Sequence, residues 1–268
     1  MTYTIEKGSE QRYINEEIHF QDALIVEGKA IFENCRIFCN EVINGNNITV
    51  KNNGILQFNN CQITSCGINK PEHEYACACT ISRFQQKKCQ EINSFSSQMV
   101  EIYNQCFFIM GMGGSLIVNE CIIQNFYHFA GGIFHTVETN DCEYRNCLGE
   151  LFDIGLSSNP MVLNQFMYNH KSLLFKITNC RFLCKQAPSY FSKQEEKGLG
   201  ILLQGNFTIS NSAFELGMIP LKLFNLDGNS ELKNCKFINV NDVPADLCYG
   251  MTTCIDCQFE IKPKGETK

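Results

Sequence analysis

One short phrase recurs down this chain and restricts how it can fold: a cysteine preceded by Asn, Asp or Glu and followed two residues later by a large apolar residue. It reads Asn34-Cys35-Arg36-Ile37, Asn60-Cys61-Gln62-Ile63, Glu120-Cys121-Ile122-Ile123, Asp141-Cys142-Glu143-Tyr144, Asn179-Cys180-Arg181-Phe182, Asn211-Ser212-Ala213-Phe214, Asn234-Cys235-Lys236-Phe237 and Asp256-Cys257-Gln258-Phe259. Of these eight copies only the one at Ser212 lacks the thiol, and serine is nearly isosteric with cysteine. Three residues before the cysteine stand Phe32, Phe58, Val118, Thr139, Ile177, Ile209, Leu232 and Cys254, mostly apolar.

The cysteine and the residue two beyond it alternate as a strand requires, and so do the residues three and five before it. The two sets are an odd number of residues apart, so one straight strand cannot point them all to the same side. The chain must bend between them. Asn and Asp, which tolerate the left-handed backbone of a sharp corner, sit at the bend. Adjacent copies recur at intervals of 21 to 26 residues, the period of a repeat architecture. The segments are rich in Ile, Phe, Val and Thr and lack apolar spacing of the helical kind, which favours strands over a helical repeat.

The phrase resembles the repeats of right-handed parallel β-helix proteins, the pectate-lyase-like superfamily, over roughly residues 20 to 261. The resemblance implies coils of three strands each, with an asparagine ladder along one bend. The expected fold is therefore all-β, a single-stranded right-handed parallel β-helix solenoid of about eight to ten coils with inserted loops. The handedness comes from the superfamily and from the general preference for right-handed crossovers.

A chain of 268 residues, 44% of them hydrophobic, can bury one continuous core without a second domain. The expectation is a single domain over 1–268: an N-terminal cap over 1–22, loop insertions over 67–98 and 185–197, and a solvated tail over 262–268. The net charge of -6 and the absence of a Lys/Arg run argue against nucleic acid. No apolar stretch is long enough to cross a bilayer, and residues 1–20 lack the apolar segment of a signal peptide. The reading is cytoplasmic, with neither membrane nor nucleic acid as partner.

In that setting the 17 cysteines read as buried small hydrophobes and not as a disulfide framework. The seven at the repeat position are expected to stack inward. On this packing reading Cys180→Ser would bury a hydroxyl without an assured partner, at about 1–3 kcal/mol.

Between Cys61 and Cys121 the gap is 60 residues, room for one more coil and a loop. That loop carries His73, Cys77, Cys79 and Cys89, with ligand chemistry for zinc but without paired CxxC spacing. Gly111-Met112-Gly113-Gly114 lacks the Lys-Ser or Lys-Thr of a phosphate loop. His128, His135, Glu138, Asp141, Glu143, Arg145 and Asp153 form the densest polar stretch, which outward positions of any such coil would also produce. Glu195 and Glu196, being adjacent, make a poor catalytic pair. Cys254-Ile255-Asp256-Cys257 matches CxxC at two ordinary core positions of the repeat. Asn47-Ile48-Thr49 and Asn206-Phe207-Thr208 are formal glycosylation sequons. No catalytic, cofactor-binding or metal-binding residue is assigned.

Pectate-lyase-like enzymes cleave acidic polysaccharides with a basic residue and acid-held calcium, and polygalacturonase-like relatives use aspartates with Gly-His-Gly and Arg-Ile-Lys phrases. The chain has no Gly-His-Gly, Asp-Asp or Arg-Ile-Lys, and its acidity ill suits an acidic glycan. The leading expectation is a non-catalytic scaffold or protein-interaction module presenting a rigid flat face to a protein partner. Self-association through the coil ends is a further route. The alternative is a carbohydrate-active enzyme, a polysaccharide lyase or glycoside hydrolase, acting on the outer face.

Overall fold

The corner residues dictate the architecture. Asn34, Asn60, Glu120, Asp141, Asn179, Asn211, Asn234 and Asp256 all hold a left-handed backbone, with φ between 50° and 55°. Asn and Asp reach this conformation because their short side chains can bond the local backbone. The computed structural model describes residues 2–20, 22–39, 47–65, 108–126, 129–145, 147, 149–154, 174–183, 199–204, 206–215, 222–224, 230–240, 248–249 and 252–261.

The described residues are all-β, in parallel strands that fall into three ladders. The first ladder runs β1 (Tyr3–Ile5), β4 (Leu24–Val26), β7 (Ile48–Lys51), β10 (Ile109–Asn119), β12 (Ala130–Asn140), β14 (Gly149–Ile154), β17 (Leu199–Gln204), β20 (Lys222–Phe224) and β23 (Cys248–Tyr249). The second comprises β2 (Glu10–Ile14), β5 (Lys29–Glu33), β8 (Ile55–Asn59), the C-terminal halves of β10 and β12, then β15 (Leu174–Thr178), β18 (Asn206–Ser210), β21 (Ser230–Lys233) and β24 (Thr252–Ile255). The third holds β3 (Glu17–His19), β6 (Arg36–Cys39), β9 (Gln62–Ser65), β11 (Ile122–Gln124), β13 (Glu143–Arg145), β16 (Arg181–Leu183), β19 (Ala213–Glu215), β22 (Lys236–Val240) and β25 (Gln258–Ile261).

One segment from each ladder, taken in chain order, makes a row, and there are nine rows. Because β10 and β12 run through two ladders, the first and second merge into one 16-stranded sheet, and the third is a separate 9-stranded sheet. Neither sheet closes on itself.

Two sequence expectations change. The stretch expected as a cap contains β1, β2 and β3, a complete first row paired in register with β4, β5 and β6. Its corner is Asn15, with φ 57°, and Glu16 stands where later rows carry the thiol. The extra coil expected between Cys61 and Cys121 does not intervene: Ile55 pairs with Ser115 and Gln62 with Ile122, so those two rows are direct neighbours. The intervening residues 66–107 lie outside the described residues.

Two glycines fix the turn from the first ladder to the second. A Cβ on Gly54 would lie 2.2 Å from the Val26 carbonyl oxygen, and one on Gly28 would lie 2.3 Å from that of Glu6. Such contacts exclude any side chain at these two turns.

The core follows a rule of exchanged volume. In the first three rows the residue three before the thiol position is aromatic, Tyr13, Phe32 and Phe58, while the residue two beyond is Ile18, Ile37 and Ile63. Their rings stack at 4.6 and 5.1 Å between centroids. From the fifth row on the ring moves across the corner: Tyr144, Phe182, Phe214, Phe237 and Phe259 stack at 4.6, 4.7, 5.0 and 4.8 Å, tilted by 7° or less. The opposite position shrinks to Thr139, Ile177, Ile209, Leu232 and Cys254. Val118 and Ile123 make the aliphatic crossover row. Across these two positions every row but the fourth thus carries one ring, which keeps that part of the cross-section filled at interior packing density. Thr139 and Tyr144 settle their buried hydroxyls on each other at 2.7 Å.

The stacked thiols do more than fill space. A left-handed corner takes the N–H of the cysteine out of strand pairing, and the thiol of the next row receives it. Cys35 N–H donates to the Cys61 sulfur at 3.4 Å, Cys61 to Cys121 at 3.3 Å, and Cys121 to Cys142 at 3.5 Å. Each thiol donates in turn to nearby carbonyls, as Cys61 does to Asn59 at 3.3 Å and Phe32 at 3.4 Å. Ser212 repeats the pattern, accepting from Cys180 N–H at 3.1 Å and donating to the Ser210 carbonyl at 2.8 Å. The position therefore has polar partners for a hydroxyl, which overturns the expectation that serine there buries an unpartnered group.

Candidate functional site

The corners are the most regular links of the described chain. In all nine rows the second-ladder and third-ladder strands are joined by the same two residues, the left-handed corner and the thiol position. Links elsewhere vary, from none within β10 and β12 to the long stretch between β9 and β10. Among the described residues no insertion therefore enters the chain between the second and third ladders.

The edge is a ridge of amides. Asn60 donates its Nδ2 to Asn34 Oδ1 at 2.8 Å, Asn179 to Asp141 at 3.0 Å and Asn234 to Asn211 at 3.1 Å. A second column, one residue earlier, runs from Asn140 to Asn119 to Asn59, each bond 3.0 Å. Side chains that hydrogen-bond to both neighbours lose rotamer freedom on folding and not on binding.

The third-ladder face carries mixed charge. Arg36 pairs with Glu17 at 3.1 Å and lies 5.4 Å over the Phe38 ring, and His19 stacks on that ring at 4.9 Å. Lys236 meets Glu260 at 2.7 Å and Arg145 meets Glu143 at 2.6 Å. The hydrogen bond from Arg145 holds the Glu143 carboxyl below its usual range. These exposed pairs contribute at most about 1 kcal/mol each, so they pattern the surface more than they stabilise it.

The polar residues singled out from sequence do not converge. Glu138 stands on the second ladder beside Lys176 in register, Asp141 is on the corner bonded to Asn179, and Glu143 and Arg145 pair with each other on the third ladder. His135 is exposed on β12 before the second-ladder stretch. The side chains of His128 and Asp153 lie outside the described residues, as do His73, Cys77, Cys79, Cys89, Glu195 and Glu196. Among the described residues no group of three or more His, Cys, Asp or Glu is placed to hold a metal ion. No helix among them is long and apolar enough to cross a membrane. Of the sequons, Asn47 spends its side-chain oxygen on the Cys39 thiol at 3.2 Å, and both are followed by buried residues, Ile48 and Phe207.

Sequence reasoning found the corners but not the surface they create. The signal was present in the unvarying link between the residue two before the thiol and the one after it, set against variable spacing elsewhere. No protein-family model, curated protein or solved structure significantly matches the chain.

Proposed function

We propose that the chain is a right-handed parallel β-helix, a solenoid of nine single-stranded coils of the pectate-lyase-like kind, that works in the cytoplasm as a non-catalytic scaffold. Its binding surface is the edge between the second and third ladders, and its partner is a protein. The observation that carries this reading is the identical two-residue corner in every described row, which lets no insertion enter the chain along that edge. A rigid surface with tethered amides loses little entropy on docking, and repeat proteins commonly bind through such extended faces.

The scatter of Glu138, Asp141, Glu143 and Arg145 over two faces and an edge weighs against the alternative, a polysaccharide lyase or glycosidase. Acid and base must lie within reach of one scissile bond. The end of the coil is a poorer docking place than its flank, because Glu10, Arg12, Glu17 and His19 line the first row, and charged side chains blunt an open strand edge.

The test compares the native protein with a variant reversed at Arg36, Arg181 and Lys236 to Glu, each recovered with bound proteins from its host after cross-linking. A protein held by the native chain and released by the variant supports the reading. Equal retention by both, or turnover of an acidic glycan by the purified native chain, contradicts it.

A further inference from the structure

The thiols of the stack differ in one respect that their sequence does not announce. Of the ten cysteines whose side chains are described eight are buried, whereas Cys254 is exposed and Cys257 half-buried. Both stand at the last corner, where Asp256 at φ 52° turns the chain between them. The corner brings together the position three before the thiol and the thiol position itself. In the fifth row these positions hold Thr139 and Cys142, and the Thr139 hydroxyl lies against the sulfurs of Cys142 and Cys180, 3.5 Å from the latter. In the last row both positions are cysteine. Burial and the neighbouring Cys257 sulfur raise the Cys254 thiol above its ordinary range. Cys257 lies 3.5 Å from both the Leu232 and Ile255 carbonyls.

Thiol–disulfide exchange needs access and a second thiol to resolve the mixed product. Elsewhere in the described stack access is missing. We propose that Cys254 and Cys257 form a thiol–disulfide exchange site for small disulfides of the glutathione type. Cys254 gives its proton to water and attacks one sulfur of the oxidised disulfide, expelling one glutathione thiolate. Cys257, deprotonated likewise, attacks the Cys254 sulfur of the mixed disulfide and expels the second. Two protein thiols lose two electrons, the small disulfide gains them, and solvent protonates both leaving thiolates. The raised Cys254 thiol makes the first step faster as pH rises. Closure ties the last corner across Asp256. The inference rests on the geometry of the last row and is independent of partner binding.

The folded full-length protein is incubated with oxidised glutathione, trapped with an alkylating agent in acid and read by peptide mass spectrometry. The expected product is an internal bond between Cys254 and Cys257, reversed by dithiothreitol, with Cys35, Cys61, Cys121, Cys142, Cys180 and Cys235 alkylated only after denaturation. Cys257→Ser should stop at glutathione on Cys254, and continued protection of the buried thiols shows that this variant folds. The proposal is overturned if both native thiols stay free, if the native chain stops at the mixed disulfide, or if Cys257 pairs with Cys235.

Discussion

The backbone N–H of Cys61 donates to the sulfur of Cys121 at 3.3 Å, although 60 residues separate them in the chain. The same bond ties Cys35 to Cys61 and Cys121 to Cys142. A turn that must orphan one amide per row finds its acceptor in the row above. That relation explains why cysteine, and once serine, recurs where valine or alanine would fill similar space.

Burial pushes the Cys235 thiol up to about 11 from an ordinary value of 9.0. A thiol whose pKa rises on folding stabilises the fold while it stays protonated. That contribution is complete below the unfolded value and is lost as pH climbs through the folded one. Stability measured by denaturant titration is expected to fall between pH 9 and 11, and Cys235→Ser should fall less steeply over that window.

Phe237 has no exposed surface and stacks between Phe214 at 5.0 Å and Phe259 at 4.8 Å. Phe237→Ala should cost about 3–5 kcal/mol through the cavity it leaves. Urea unfolding of the variant checks this.

The exchange of volume across the corner predicts a compensating pair. Ile177→Phe adds a second ring across the corner from Phe182 and should destabilise by about 1–3 kcal/mol through overpacking. Combining it with Phe182→Ile should recover part of that loss, seen as a favourable coupling in a double-mutant cycle. Additive losses would separate the two positions.

Glu120 is the one corner residue other than Asn or Asp, at φ 55°. A left-handed backbone costs most side chains about 1–2 kcal/mol and asparagine less. Glu120→Asn should therefore raise stability by about 1 kcal/mol, readable as a higher urea midpoint with an unchanged slope.

The corners were legible because one residue type was needed at one backbone conformation: all eight positions picked out by the cysteine phrase are left-handed. Asn15 escaped because its phrase carries Glu16 in place of cysteine, although Tyr13 and Ile18 keep the apolar spacing. The first-ladder strands were harder to place, since they follow links of variable length and have no corner residue to mark them. The thiol bonds were invisible for a different reason: a buried cysteine reads as a small hydrophobe until its neighbours in space are known. The scattered polar residues between His135 and Arg145 looked like a site because sequence proximity was all that joined them.

The most direct test is the relative cost of two changes at Cys61. Cys61→Ser keeps an acceptor for the Cys35 N–H and a donor for the Asn59 carbonyl, as Ser212 does in its own row. Cys61→Ala leaves that buried amide unpaired, at about 1–3 kcal/mol, so alanine should destabilise more than serine. If unfolding titrations instead find alanine the better tolerated, the thiols are mere filling, and the hydrogen-bonded stack is not what holds these rows in register.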